Sequence, residues 1–179
     1  IPFGIYIEME GILVVELCDL EQNGISVESP AEHILKPGDY ITAVNGAQVT
    51  AKEDLQRAVA ESGGSVLQLT VVRGGEAFQC SVTPICTDSK IFQIGVWVRD
   101  DLAGIGTLTY IDGEGTFGAL GHGITDTDVE HLISVLDGTV YQANILSVIR
   151  GEQGKPGELV GQIHYNQANR LGQITKNTK

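Results

Sequence analysis

The sequence of 179 residues is poor in positive charge, in aromatic side chains and in long apolar runs. It has 11 Lys and Arg residues and 23 Asp and Glu residues, which gives a net charge of −12. The basic residues are scattered and form no patch. Because binding to phosphates or anionic lipids needs clustered basic side chains, the composition argues against nucleic acid as a partner. No apolar run approaches the roughly 20 residues of a membrane span, and no signal peptide is visible.

Cysteine is also scarce, with Cys18, Cys80 and Cys86 alone. An odd count leaves at least one thiol unpaired; a Cys80–Cys86 bridge is open, and the simplest interpretation is three small buried apolar side chains. Their spacing fits no zinc motif. His122 and His131, with acidic residues between them, are irregularly spaced and offer no clear set of three ligands. We therefore predict no metal and no cofactor.

Short apolar runs between turn residues fill the first half of the chain and predict strands at 12–17, 40–44, 66–72 and 77–82. Asn45-Gly46 and Gly74-Gly75 predict tight hairpins between strands. Two capping boxes predict helices that begin at Ser29 and at Thr50. The second helix carries Leu55, Ala58 and Val59 on one face, and Gly63-Gly64 ends it.

The order of these elements resembles a PDZ domain. The segments that carry the resemblance are Ser29-Pro30-Ala31, residues 35–41, Val44-Asn45-Gly46 and Arg73-Gly74-Gly75. The resemblance implies that an extended peptide adds to an open strand edge beside a helix, with its carboxylate held by a loop.

For this peptide site, Phe3-Gly4-Ile5 matches the hydrophobic–Gly–hydrophobic turn of the family's loop. Ile5 to Glu8, which includes Tyr6 and Ile7, would be the pairing strand, and the helix from Lys52 to Val59, with Leu55, the opposite wall. Glu8 and the acidic net charge disfavour acidic peptides. In the alternative interpretation Gly4 is only a turn, and the groove is closed or unused.

The second half predicts strands at 94–98, 107–111, 116–120 and 141–149, with two more starting near Gly161 and Gly172. His122 stands between Gly121 and Gly123 at the end of one of them. Flanking glycines let a substrate backbone approach, and imidazole titrates near neutral pH, so His122 is a candidate general base. A residue that merely ends the strand is the alternative.

Three segments of the second half resemble the stage IV sporulation protein B family, serine peptidases of spore-forming bacteria: residues 97–100, 104–109 and 118–124. The resemblance implies a mainly β chain with a PDZ domain (a β-sandwich or barrel with two helices) at 1–86. It implies part of a trypsin-like β-barrel serine endopeptidase at 87–179, with His122 as the catalytic histidine. The implied partner is a regulatory sporulation protein or peptide, self-recognition included, and the implied location is the space between the membranes around the forespore.

A nucleophile in a suitable setting is missing. After His122 the serines are Ser134 and Ser147, and neither has the glycine neighbours of an oxyanion-hole turn. We therefore expect a catalytically incomplete piece of a serine endopeptidase, with its serine and acid outside these residues and with open barrel edges that invite association. A non-catalytic PDZ peptide-binding module and a scaffold that has lost catalysis are the alternatives.

Overall fold

The computed structural model describes residues 1–119, 124, 135–154 and 157–176. Within these residues the chain divides into two compact units. The strand unit holds Ile1–Glu8 and the described residues from Asp101 onward, and the helical unit holds Met9–Asp100.

The chain is mainly β, as predicted, and the rest of it beyond the PDZ region is also mostly strands. In chain order the strands are β1 (Pro2–Leu17), β2 (Leu20–Gln22), β3 (Ile25–Val27), β4 (Tyr40–Val44), β5 (Ala47–Gln48), β6 (Leu67–Arg73), β7 (Glu76–Val82), β8 (Ile85–Cys86), β9 (Phe92–Gln93), β10 (Val96–Thr107), β11 (Tyr110–Ile111), β12 (Phe117–Gly118), β13 (Val135–Ile149), β14 (Glu158–Ile163) and β15 (Arg170–Gln173). Helix α1 spans Lys52–Glu61, and a 3₁₀ turn spans Gln167–Asn169. Both β1 and β10 contribute residues to each unit.

The sheet of the helical unit runs in the order β1-β4-β6-β7, and β10 also pairs with β1. β4 is antiparallel to β1, with Ile12 opposite Ile41. The predicted hairpins at Asn45-Gly46 and Gly74-Gly75 are confirmed, and all four turn residues have positive φ. This left-handed conformation suits Asn and Gly, and it matches the twist of the flanking strands.

Helix α1 confirms the second predicted helix, but its start differs by one residue. The N-cap is Ala51, and the carboxylate of Asp54 accepts a hydrogen bond from the Ala51 N–H at 3.3 Å. The acidic residue that accepts the N-cap N–H is therefore Asp54, not Glu53. The hydrogen bond from Ala51, followed by that from Arg57, lowers the pKa of Asp54.

The first predicted helix is wrong, because residues 30–34 form consecutive turns. Ser29 Oγ does accept a hydrogen bond from the Ala31 N–H at 3.2 Å, as an N-cap would. His33, however, has a φ of 62°, and a left-handed residue interrupts a right-handed helix. Within Met9–Asp100, all of which the structure describes, there is therefore one α-helix where two were predicted.

One apolar core joins the sheet to α1. Its buried members are Ile12, Val14, Ala31, Leu35, Ile41, Val44, Val49, Leu55, Val59, Leu67, Leu69, Val71, Val82 and Ile94. At its margin Asp39 is 1% exposed and accepts hydrogen bonds from Arg73 Nε at 2.7 Å and Arg73 Nη2 at 2.8 Å. The same carboxylate accepts the Lys36 N–H at 2.8 Å, which fixes the turn before β4.

In the strand unit β13 pairs antiparallel with both β14 and β15. The predicted strand at 141–149 is confirmed, although it begins earlier. Gly161 and Gly172 lie inside β14 and β15 instead of starting them.

Residues 103–106, expected between two strands, instead lie within β10. The side chains of Phe3 and Ile5 approach Gly106 so closely that a Cβ there would lie 2.9 Å and 3.0 Å from them. Gly106 therefore accommodates neighbouring side chains within a continuous strand, and neither it nor Gly104 ends that strand.

All three cysteines are free thiols of intermediate exposure, so the Cys80–Cys86 bridge is not formed. Burial raises the pKa of the Cys18 thiol, with smaller contributions from Glu16 and Asp19. Burial likewise raises the pKa of Cys80. Both therefore behave as largely protonated, weakly nucleophilic side chains near neutral pH.

Candidate functional site

The candidate catalytic residue, His122, belongs to residues 120–123, which lie outside the described residues. The hairpin that precedes them is described: β11 pairs with β12 through Tyr110 opposite Gly118 and Ile111 opposite Phe117. The assignment of His122 as a general base therefore stays a prediction.

The turn of this hairpin is held by a carboxylate. Asp112 Oδ1 accepts hydrogen bonds from the backbone N–H groups of Glu114 at 2.9 Å and Thr116 at 2.8 Å. Opposite, the ring of Tyr110 lies where a side chain on Gly118 would have to go. Packing inside the hairpin is thus a sufficient reason for the first glycine of the Gly118–Gly123 segment.

Five residues predicted to bind peptide, Phe3 to Ile7, lie in β1 and belong to the strand unit. The turn expected at Phe3-Gly4-Ile5 is not seen, because the strand is continuous from Pro2. Phe3 and Ile7 are buried, and the side chain of Ile163 occupies the space beside Gly4.

Tyr6 lies in an aromatic cluster of the strand unit. Its ring packs edge-on against Tyr165 at 5.6 Å, and Tyr165 packs against Tyr141 at 5.5 Å. Burial, followed by the nearby Asp101 and Tyr141, raises the pKa of Tyr165. The cluster accounts for Tyr6 as a packing residue.

The other two predicted peptide contacts, Leu55 and Val59, lie on α1 in the helical unit. Both are buried in the apolar core. The two predicted sets therefore fall in different compact units, and their assignment to one peptide site stays a prediction.

The edge of the helical-unit sheet beside α1 carries contacts that sequence reasoning missed. Asp100 Oδ2 accepts a hydrogen bond from the Lys52 backbone N–H at 2.7 Å, and its other oxygen lies 3.8 Å from Lys52 Nζ. Val96 and Val98 pack against the core, whereas Trp97 between them is 64% exposed. The alternation of core-facing and exposed side chains could be predicted from the sequence. The contact of Asp100 with Lys52, 48 positions away, could not.

The remaining described histidines show no catalytic arrangement. His164 follows the end of β14, and its Nε2 lies 3.1 Å from Asn144 Nδ2. In the described part of the chain, no group of three or more His, Cys, Asp or Glu side chains could hold a metal. The described helices include none long and apolar enough to span a membrane.

Comparison with known proteins gives two family matches. Residues 23–73 match the PDZ domain, and residues 90–179 match the family described as SpoIVB peptidase S55. A PDZ domain followed by a peptidase region defines a class of PDZ-containing peptidases, and PDZ domains bind peptides. The chain belongs to the SpoIVB peptidase S55 family, and this membership indicates a serine peptidase.

Individual relatives are more distant. A putative zinc metalloprotease of Clostridium perfringens is 28% identical over 69 residues, which are 38% of this chain and 21% of that protein. The chain thus spans about a fifth of the length of that curated relative. The PDZ domain of an SdrC-like protein from Listeria monocytogenes is 17% identical, and the match covers 51% of this chain and 90% of that domain, with a TM-score of 0.41. The PDZ domain of an SdrC-like protein from Listeria innocua is 18% identical, and the match covers 50% of this chain and 93% of that domain, with a TM-score of 0.41. Our assignment of the PDZ domain rests on the family match, not on these two structures.

Proposed function

We propose that this chain contributes the PDZ domain and the histidine-bearing part of a serine endopeptidase that acts in sporulation signalling. The observation that carries the proposal is the family match over residues 90–179, which includes the Gly118–Gly123 segment and His122. The PDZ region supports recognition of peptide segments in the substrate or in the enzyme itself. The compartment we propose is the space between the membranes around the forespore.

In the proposed reaction His122 acts as the general base. Its imidazole accepts the proton of a serine hydroxyl while the serine oxygen attacks the scissile carbonyl carbon, and it later returns that proton to the leaving amine. The histidine must be neutral at the start, because a protonated imidazole cannot accept the serine proton, so activity should be lost in acid.

The proposed nucleophile lies outside residues 1–179. Ser134 and Ser147 lie after His122, but neither has the adjacent glycines that would place backbone N–H groups around an oxyanion. We therefore expect the isolated chain to cleave no peptide bonds, and we propose a trypsin-like barrel only for the complete peptidase domain.

The test compares His122→Ala with His164→Ala in the full natural protein. Removal of a triad base lowers kcat by several orders of magnitude, whereas His164 contacts Asn144 and has no place in the proposed reaction. Cleavage of a protein substrate is followed by mass spectrometry. If the His122→Ala protein cleaved at the wild-type rate, His122 would not be the base.

A non-catalytic PDZ module is the second candidate, and it is favoured by the setting of Ser134 and Ser147. Under this candidate the full protein would bind C-terminal peptides and cleave none of them. Titration of a C-terminal peptide library against the folded chain, alongside the cleavage assay, separates the two candidates.

A further inference from the structure

We propose that the segment Val96–Asp100 occupies a peptide-binding seat on the helical unit of its own chain. An extended peptide with the pattern apolar-x-apolar-x-acidic would take the same seat once the segment leaves. This inference rests on the proposed peptide recognition by the PDZ region, but it places the binding strand at β10, away from Phe3 to Ile7.

The first reason is the state of the strand edges. β1 pairs with both β4 and β10, and at the end of the latter pairing the Cys18 N–H donates to the Gly95 carbonyl at 2.9 Å. A strand has two edges, and addition of a peptide strand requires one of them to be open. Within the helical unit, β10 therefore occupies the edge that an incoming strand would need.

The second reason is the pattern of side chains along the segment. Val96 and Val98 pack against the core that contains Leu55 and Val59 on α1, while Trp97 points to solvent. This is the arrangement of a bound peptide strand, whose alternate side chains enter the apolar surface beside a helix. The segment thus packs on the same apolar core as Leu55 and Val59, the two α1 residues that were predicted to contact a peptide.

The third reason is the acid at the end of the segment. The carboxylate of Asp100 accepts the Lys52 N–H at the first turn of α1, where helical N–H groups lack partners inside the helix. Its side chain is 14% exposed, against 47% for Lys52. This contact latches the segment to the helix and requires an acid four residues after the first apolar position.

Release of the segment controls the apparent affinity of the seat. A tethered segment competes at an effective concentration on the order of millimolar, and apparent affinity falls with the fraction of molecules whose seat is empty. The wild-type chain should therefore bind a free copy of the segment weakly, and loss of the latch should strengthen binding.

The probe is a fluorescein-labelled, C-terminally amidated peptide of residues 95–101, titrated by fluorescence anisotropy. The test protein is the whole chain with Val98→Ala and Asp100→Ala. These substitutions reduce the packing of the segment against the core and remove the hydrogen bond between Asp100 and Lys52, and they bury no charge. Asp101→Ala removes the same charge one residue later, as the matched control. We expect at least tenfold tighter binding by the double variant than by wild type or Asp101→Ala. We also expect about tenfold weaker binding of a peptide that carries Asp100→Asn.

Equal binding by the folded double variant and wild type would overturn the inference, as would equal binding of the two peptides. If the double variant does not fold, the titration is decided on Asp100→Ala alone, which leaves the core residues in place. A chain that binds only peptides with a free C-terminal carboxylate would overturn this seat and leave PDZ recognition standing. Cleavage that depends on His122 is a separate readout, so failure of the peptidase proposal is distinguishable.

Discussion

The ion pair between Asp39 and Arg73 gives a direct test of what holds the helical unit together. Asp39 is 1% exposed, and its carboxylate accepts two hydrogen bonds from Arg73 and one from the Lys36 N–H. Asp39→Asn keeps the shape but turns one acceptor oxygen into an NH₂ donor. Because the groups on both sides of the carboxylate are donors, the new amide must face one of them.

The expected size follows from the burial of the two partners. A hydrogen bond to a charged group contributes about 1.5–3 kcal/mol, and breaking a fully buried ion pair costs about 3–5 kcal/mol. The Arg73 side chain is 38% exposed and remains partly hydrated, which lowers the cost. We therefore expect Asp39→Asn to reduce the free energy of unfolding of the helical unit by about 2–4 kcal/mol.

The assay is urea unfolding of the whole chain, followed by hydrogen exchange in β4 and β6. Arg57→Ala, which removes an exposed pair with Asp54 on α1, is the control and should change the free energy of unfolding far less. A loss below about 0.5 kcal/mol for Asp39→Asn, the range of ordinary surface substitutions, would refute the reasoning.

Two further predictions use features of the same unit. Gly95 and Gly24 have φ values of 70° and 71°, but a Cβ at Gly95 would lie 2.7 Å from the Cys18 carbonyl oxygen, whereas nothing lies within 4 Å at Gly24. Gly95→Ala should therefore cost about 1–3 kcal/mol more than Gly24→Ala in urea unfolding, and equal losses would contradict the close contact. The raised pKa values of Cys18 and Cys80 should slow their alkylation by iodoacetamide at pH 8.5 in the folded chain relative to the urea-unfolded chain, measured by mass spectrometry. Because folding favours the protonated thiols, these two cysteines stabilise the fold below the unfolded cysteine pKa of about 8.5, and this stabilisation is lost as pH rises through their folded pKa values. Equal alkylation rates in the folded and unfolded chains would contradict the raised pKa values.

Local signals in the sequence predicted the parts of the fold that depend on neighbouring residues. Asn45-Gly46 and Gly74-Gly75 specify their hairpins because few other residues adopt positive φ at both turn positions. The spacing of Leu55 and Val59 specifies the buried face of α1 for the same local reason.

Features that depend on distant contacts were not predictable in this way. The turn at Ser29 begins as a helix would, but His33 adopts a left-handed conformation that the sequence does not indicate. The pairing of β10 with β1, and of Asp100 with Lys52, joins residues far apart in the chain. Phe3-Gly4-Ile5 fits a loop motif by sequence, yet in the structure these residues lie in a continuous strand, where the Ile163 side chain packs beside Gly4.

The most direct test of the central claim is labelling of the full natural protein with a fluorophosphonate, which reacts with activated serine nucleophiles. We predict that one serine outside residues 1–179 is labelled in the wild type and in His164→Ala, and that His122→Ala abolishes the labelling because the serine loses its general base. Labelling of the His122→Ala protein at the wild-type rate, or no labelled serine in an active wild-type protein, would contradict the assignment of a serine peptidase with His122 as its base.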